Sequence, residues 1–231
     1  MIHKYKNEDK LLTAVDCMVF GFDPHAEELK ILLIKRDFDP EKGNWSLMGG
    51  FLRNNEKIED CAIRVLHSLT GLNNVYMEQL KVFSEVDRDP VERTISVAYY
   101  ALINIEDHDE ELIKQYSACW FEISKMPKLI FDHNSMVDYA LKRLRYKATV
   151  EPVGFELLPE KFTMRQLQKL YEEIFNEQID KRNFIKKIIS LDILEKLDEK
   201  DKNSSRKGSF LYRFNQSKYK LKNDNGFVFK V

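Results

Sequence analysis

Between Trp45 and Leu72 the hydrophobic pattern changes period, and this change restricts the fold more than any other feature of the chain. Trp45 to Phe51 is short and punctuated by Gly49 and Gly50. From Ile58 onward the apolar residues are Ile58, Cys61, Ala62, Val65, Leu66 and Leu69, the i, i+3, i+4, i+7, i+8, i+11 stripe of a single helix face. Gly71 stands two residues beyond the last of them, where a left-handed residue would end the helix.

Strand signals surround this unit. Thr13 to Phe22 and Leu29 to Lys35 are rich in Val, Ile, Leu and Phe and flank the turn-prone Asp23-Pro24-His25, which predicts a hairpin. Val82 to Val86 and Thr94 to Ile105 read as further strands, with Asp89-Pro90 marking the turn between them. Asn134 to Tyr146 carries Met136, Val137, Ala140, Leu141 and Leu144 at helical spacing and closes a first domain over residues 1–150. Thr149 to Glu160, with Pro152, Gly154 and Pro159, reads as a connector into a second domain over 151–231.

In that second domain Thr163 and Gln166 form a capping-box signature ahead of Leu167, Leu170, Tyr171, Ile174 and Phe175. Asp180 caps another helix, whose inner stripe is expected to be Phe184, Ile185, Ile188 and Ile189. Ser209 to Phe214 is a strand candidate with alternating aromatics, and Lys218 to Leu221 with Phe227 to Phe229 are expected to form a final hairpin around Asn223-Asp224-Asn225-Gly226.

The two parts differ in charge. Residues 1–150 hold 20 basic and 25 acidic side chains, whereas residues 151–231 hold 17 and 13, so the overall −1 conceals a cationic C-terminal part suited to a polyanion. Lys202 to Lys222 contains seven basic residues and no acid. Cys17, Cys61 and Cys119 are too few and too far apart for a disulfide framework or a zinc-ligand pair. No run approaches the roughly 18 apolar residues of a membrane span, and Met1 to Lys10 is polar, so a cytoplasmic protein without a membrane partner is expected.

Gly50, Glu56, Arg64, Leu66, Gly71 and Leu72 occupy, without a gap, the frame of the Nudix box: Gly, five residues, Glu, seven residues, Arg-Glu-hydrophobic-x-Glu-Glu-x-Gly-hydrophobic. The segment from about Leu11 to Tyr146 resembles a Nudix domain, which implies an α/β/α sandwich with a mixed sheet. The resemblance does not extend to activity. In Nudix hydrolases the glutamates after the arginine hold Mg²⁺ or Mn²⁺, and the metal activates water against a diphosphate. Here those positions are Val65, Ser68 and Leu69, while Glu59 and Asp60 lie off the motif. Two hydrocarbons and one hydroxyl are a poor ligand set for a hard cation, so no catalytic residue, metal or cofactor is expected. Glu56 and Arg64 are expected to brace the loop against the helix. The remaining cleft, near Arg36, Asp37, Trp45, Arg53, Glu85, Asp87, Arg88 and Arg93, is expected to bind a small polar effector.

The second domain looks like a winged helix-turn-helix, giving an α+β chain in two parts. Lys181, Arg182, Asn183, Lys186 and Lys187 complement the apolar stripe of the second helix and are candidates for major-groove and phosphate contacts. Thr163, together with Arg206, Lys207, Ser209 and Arg213 of the wing, completes the expected DNA-binding set. The whole chain resembles the Nudix-related transcriptional regulators, in particular over Phe155 to Thr163 and Asp180 to Phe184. The resemblance implies a homodimeric repressor of a palindromic operator, with ADP-ribose in NAD metabolism or a pentose such as arabinose as effector. Because Val65 and Leu69 make the old metal face apolar, the residues favour an uncharged sugar. The alternative is a diphosphate hydrolase with a relocated metal site.

Overall fold

The computed structural model describes residues 5, 7–73, 75–107, 116–202 and 208–224. Its N-terminal part is built on a seven-stranded mixed sheet whose main path runs β3 (Trp45–Ser46), β2 (Glu28–Lys35), β1 (Leu12–Asp23), β6 (Thr94–Asn104), β5 (Met77–Phe83). Strand β4 (Met48–Phe51) pairs with β1, and β7 (Ala118–Glu122) pairs with β2. β1 lies parallel to β6 and antiparallel to β2 and β4.

Burial on both faces explains why β1 is almost continuously apolar. Alternate residues Val15, Cys17 and Val19 face one layer, formed with helix α1 (Ile58–Thr70) through Cys61, Ala62, Val65 and Leu66. Met18, Phe20 and Phe22 face the opposite layer, formed with helix α2 (His133–Val150) through Met136, Val137, Ala140, Leu141 and Leu144. The α/β/α sandwich is therefore a consequence of period 2 in the strands meeting period 3.6 in the helices. Gly71 ends α1 in the left-handed region at φ 74°, its N–H donating to the His67 carbonyl.

The C-terminal part is a winged helix. Strand β8 (Phe162–Thr163) leads into α3 (Met164–Phe175), α4 (Lys181–Ser190), β9 (Leu194–Asp201) and β10 (Ser209–Phe214), with the three strands ordered β8-β10-β9. Both expected caps are formed. Thr163 and Gln166 make a reciprocal capping box, and the Asp180 side chain accepts from the Asn183 N–H.

The connector is packed in part rather than exposed along its whole length. Leu157 and Leu158 are buried in the same continuous core as Phe20, Leu141, Phe162, Leu167, Leu170 and Tyr171. Its apolar residues make it part of the packing between the domains rather than a free linker. Helix α3 also sits on β2: Glu173 accepts from the Leu29 N–H, and Arg165 grips Glu27 through two hydrogen bonds of 2.6 and 3.1 Å.

Three further differences have local causes. β5 ends at Phe83 rather than reaching Val86, because Arg93 donates to the Ser84 and Glu85 carbonyls and folds the following residues into a loop. β7 and β9 were not foreseen; β9 reads Leu-Glu-Lys-Leu-Asp-Glu-Lys-Asp, with too few apolar residues to signal a strand. The final hairpin is not formed over Lys218 to Leu221, which lies in helix α5 (Gln216–Asp224). Asn215 accepts from the Lys218 N–H as a helix cap, and Tyr219 packs beside Phe214. Phe227 to Phe229 lie outside the described residues.

Candidate functional site

The glycines of the box set how closely its helix approaches the sheet. A Cβ on Gly50 would stand 2.7 Å from Val65 Cγ2, and one on Gly49 would stand 2.6 Å from Asp16 Oδ1. Val65 is thereby buried beneath the β4 backbone, leaving Leu69 as the box-helix side chain that lines the adjoining cavity. Ser68 is exposed, and its hydroxyl donates back to the Val65 carbonyl. These residues do not fit a divalent cation: the motif positions offer a packed hydrocarbon, an exposed hydroxyl and a second hydrocarbon. Among the described residues, no group of three His, Cys, Asp or Glu is placed to hold a metal.

Glu56 and Arg64 form the bracing pair. Arg64 donates Nε to Glu56 Oε2 at 2.8 Å and Nη2 to Oε1 at 2.6 Å, and Nη2 also reaches the Phe51 carbonyl at 3.0 Å. The Arg53 N–H completes the set at 2.9 Å on Glu56 Oε1. The Arg64 hydrogen bond, acting against partial burial and assisted by that amide, holds the Glu56 carboxyl down at about 2.

The cavity beside this helix has a volume of about 220 Å³. Of the expected ligand-binding residues, Arg36, Asp37 and Arg88 line it, whereas Trp45, Arg53, Glu85, Asp87 and Arg93 do not. Trp45 packs edge-on against Phe121 at 4.7 Å, because its strand turns the indole into the α2 layer. Arg53 is exposed on the loop that its N–H ties to Glu56, and Arg93 donates to the Ser84 and Glu85 carbonyls. Asp87 is on the exposed part of that loop. At the cavity mouth the Arg36 guanidinium lies 3.7 Å from the Phe38 ring centroid and donates to the Pro40 carbonyl.

The polar floor is formed by Arg88 with Asp16 and His133, held from behind by Ser96 and Asp132; of these five, the sequence pointed to Arg88 alone as a ligand contact. The Arg88 side chain is only 4 % exposed and makes a two-pronged contact with Asp132, Nε to Oδ2 at 2.9 Å and Nη2 to Oδ1 at 2.8 Å. Nη2 also reaches Asp16 Oδ2 at 3.4 Å, and Ser96 donates to the same oxygen at 2.6 Å. Burial opposes the Arg88 charge, but Asp132 and Asp16 outweigh it and hold the guanidinium above its ordinary pKa. On the other side His133 Nε2 stands 3.5 Å from Asp16 Oδ1, while its Nδ1 accepts from the Leu47 N–H at 3.2 Å. Burial pushes His133 down against the pull of the two aspartates. An Nδ1 lone pair already engaged leaves the ring neutral, with its proton on Nε2 toward Asp16. For the other four, the one sequence signal was Asp16 itself, a carboxylate in an otherwise apolar strand.

On the winged helix, Lys181, Arg182, Asn183, Lys186 and Lys187 are all exposed on α4, while Phe184 and Ile188 are buried and Ile185 is half-buried. Ile189, expected in the inner stripe, is instead 54 % exposed: the helix turns it away from the core, onto the Arg182–Lys186 side. Thr163 is corrected as a DNA contact. It is 1 % exposed, and its hydroxyl is used within the capping box, donating to Gln166 Oε1 and accepting from the Gln166 N–H. Ser209 is half-buried on β10, and Arg213 lies 3.2 Å from Glu160. Arg206 and Lys207 lie outside the described residues.

Residues 10–140 match the NUDIX domain family, and residues 154–214 match the NrtR DNA-binding winged helix domain. The chain is 32 % identical to the ADPR responsive transcriptional repressor NtrR of Acinetobacter baylyi over 88 % of this chain and 82 % of that protein. It is 38 % identical to the ADP-ribose pyrophosphatase of Methanocaldococcus jannaschii over 48 % of this chain and 65 % of the enzyme. Among solved structures, Shewanella oneidensis NrtR complexed with a 27mer DNA superposes with a TM-score of 0.78 at 26 % identity, covering 94 % of this chain and 97 % of that one. The NUDIX domain of the same protein complexed with ADP ribose gives 0.51 at 28 % identity, over 62 % of this chain and 99 % of that one.

Proposed function

The chain belongs to the NUDIX domain family and to its NrtR-type branch with a C-terminal winged helix, and from that premise we propose that it is a DNA-binding transcriptional repressor controlled by ADP-ribose. The observation that carries this reading is the pairing, in one chain, of a box helix unfit for a divalent cation with a winged helix whose α4 presents Lys181, Arg182, Asn183, Lys186 and Lys187 to solvent. A cleft that has lost its hydrolytic metal is free to hold its ligand intact.

ADP-ribose binds in the cavity above Asp16 and Arg88, where Arg36 supplies a cation for a diphosphate and Phe38, Phe51 and Phe131 supply aromatic surface. The names of the relatives support the same ligand. A pentose such as arabinose is the second effector class. Its support was the apolar face of Val65 and Leu69, and burial of Val65 removes half of that face from the cavity.

The protein acts in the cytoplasm as a homodimer on a palindromic operator of NAD-metabolism genes, two α4 helices entering successive major grooves. No helix among the described residues is long and apolar enough to cross a membrane. Effector binding shifts operator affinity through the seam: β2 carries Ile34 and Lys35 at the cavity and, at its other end, Leu29 against Glu173 of α3. A hundredfold preference of the effector for one DNA-binding state corresponds to about 2.7 kcal/mol of coupling.

Thermal-shift measurements with ADP-ribose and arabinose test the ligand assignment. ADP-ribose at a hundred times its Kd should stabilise the chain by about 2.7 kcal/mol, with arabinose inert. Turnover of ADP-ribose with Mg²⁺ at ordinary enzymatic rates would overturn the regulator reading in favour of a hydrolase with a relocated metal site.

A further inference from the structure

We infer that Ile189 is a base-reading residue that packs on the C5-methyl group of a thymine in the major groove, an inference resting on the DNA-binding reading above. Ile189 is 54 % exposed and is absent from the apolar cluster that holds Phe184, Ile185 and Ile188. It lies at i+3 from Lys186 and i+7 from Arg182, so the three side chains share a stripe of α4. No acidic residue occurs between Lys181 and Leu191. A single exposed isoleucine is ordinary on a protein surface. This one stands within the cationic face that would meet DNA, and a β-branched residue contributes little to an exposed helix position by propensity alone.

The chemistry of the groove narrows what it can recognise. Phosphates and most base edges offer acceptors and donors, which the lysines, Arg182 and Asn183 can address. The apolar group presented in the major groove is the thymine methyl. An isoleucine seated beside cations that fix the helix on the backbone therefore distinguishes a thymine from a base pair without that methyl. The cations supply affinity, and Ile189 supplies one element of sequence preference.

The full chain is first used to select bound duplexes from a random pool, and each thymine of the selected site is then replaced by uracil, which lacks only the methyl. At the thymine facing Ile189, wild-type affinity should fall about three- to fivefold, the Boltzmann factor of one buried methyl group. Ile189→Ala should lose a similar factor on the thymine duplex and no longer separate thymine from uracil there. Its melting temperature should match wild type, since the side chain adds nothing to the core. Lys186→Gln should weaken both duplexes equally and lower the salt slope by about one. Wild-type binding unaffected by every uracil replacement, or an Ile189→Ala variant that still discriminates, overturns the inference alone. Failure of the chain to retain any duplex at low salt overturns the DNA-binding reading and the inference with it.

Discussion

Two arginine–carboxylate clusters of the N-terminal part differ in how far apart in the chain their partners lie and in how deeply their arginines are buried. Arg64 and Glu56 lie eight residues apart at the rim of the domain, outside the cavity lining, with side chains 29 % and 13 % exposed, and join a loop to the helix that follows it. Arg88 meets Asp16 across 72 residues and Asp132 across 44, and the Arg88 and Asp16 side chains are 4 % and 7 % exposed. The rim pair trades water for a partner at little net gain. Arg88 and Asp16 are withdrawn further from water than either member of the rim pair, so each of these two charges depends on its partners being present, while Asp132, with its side chain 21 % exposed, is the part of the cluster nearest solvent. A motif can thus keep its outward bracing pair where the glutamates after its arginine are replaced, while the charged residues beside the cavity come from elsewhere in the chain.

The sharpest way to break this contrast is Arg88→Met. Removing the guanidinium that joins Asp16 to Asp132 takes its charge from both carboxylates, and denaturant unfolding should show a loss of about 3–5 kcal/mol. Adding Asp16→Asn and Asp132→Asn should recover much of it. A loss below about 1 kcal/mol would show that the floor is as well hydrated as the rim.

Gly50→Ala comes next. Its methyl would intrude on Val65 and should cost about 1–3 kcal/mol, whereas Gly50→Ala with Val65→Ala should lie nearer wild type, because the second change vacates the space that the first one fills. Strictly additive losses in the double variant would contradict the packing argument.

The smallest effect separates the clusters by pH. Because the Glu56 carboxyl is lowered from 4.5 to about 2, the stability it contributes is complete above pH 4.5 and is lost as pH falls from there toward 2. Glu56→Gln, which has nothing to titrate, should therefore show a flatter stability profile in that window, the two proteins converging at its acid end. Parallel profiles would mean that Arg64 does not hold Glu56 in solution.

The same division marks what the sequence could disclose. Helix α1, its Gly71 terminus, the capping box at Thr163 and the Asp180 cap rest on residues within a dozen positions of one another, and each was legible from spacing. The cavity floor was not, since nothing in local spacing announces that Asp16, Ser96, Arg88 and Asp132 will meet; parallel pairing of β1 with β6 brings the first two together. Trp45 misled because a tryptophan beside a glycine pair looks like a ligand platform, and only the β3 register shows it turned toward Phe121. Ile189 misled for the opposite reason: four apolar residues at helical spacing suggest one buried stripe, but the core accommodates only the first three. The connector shows the same limit, since Pro152, Gly154 and Pro159 signal a loop correctly and say nothing of Leu157 and Leu158 buried between them.

The most direct test of the central claim is a titration of ADP-ribose into the full chain bound to its selected duplex, at fixed salt, with the nucleotide recovered afterwards. The account predicts that the DNA-binding midpoint moves by tenfold or more, equivalent to about 1.4 kcal/mol of coupling, while the ADP-ribose is returned intact. Superimposable binding curves with and without ADP-ribose, or its conversion to products during the titration, would contradict it.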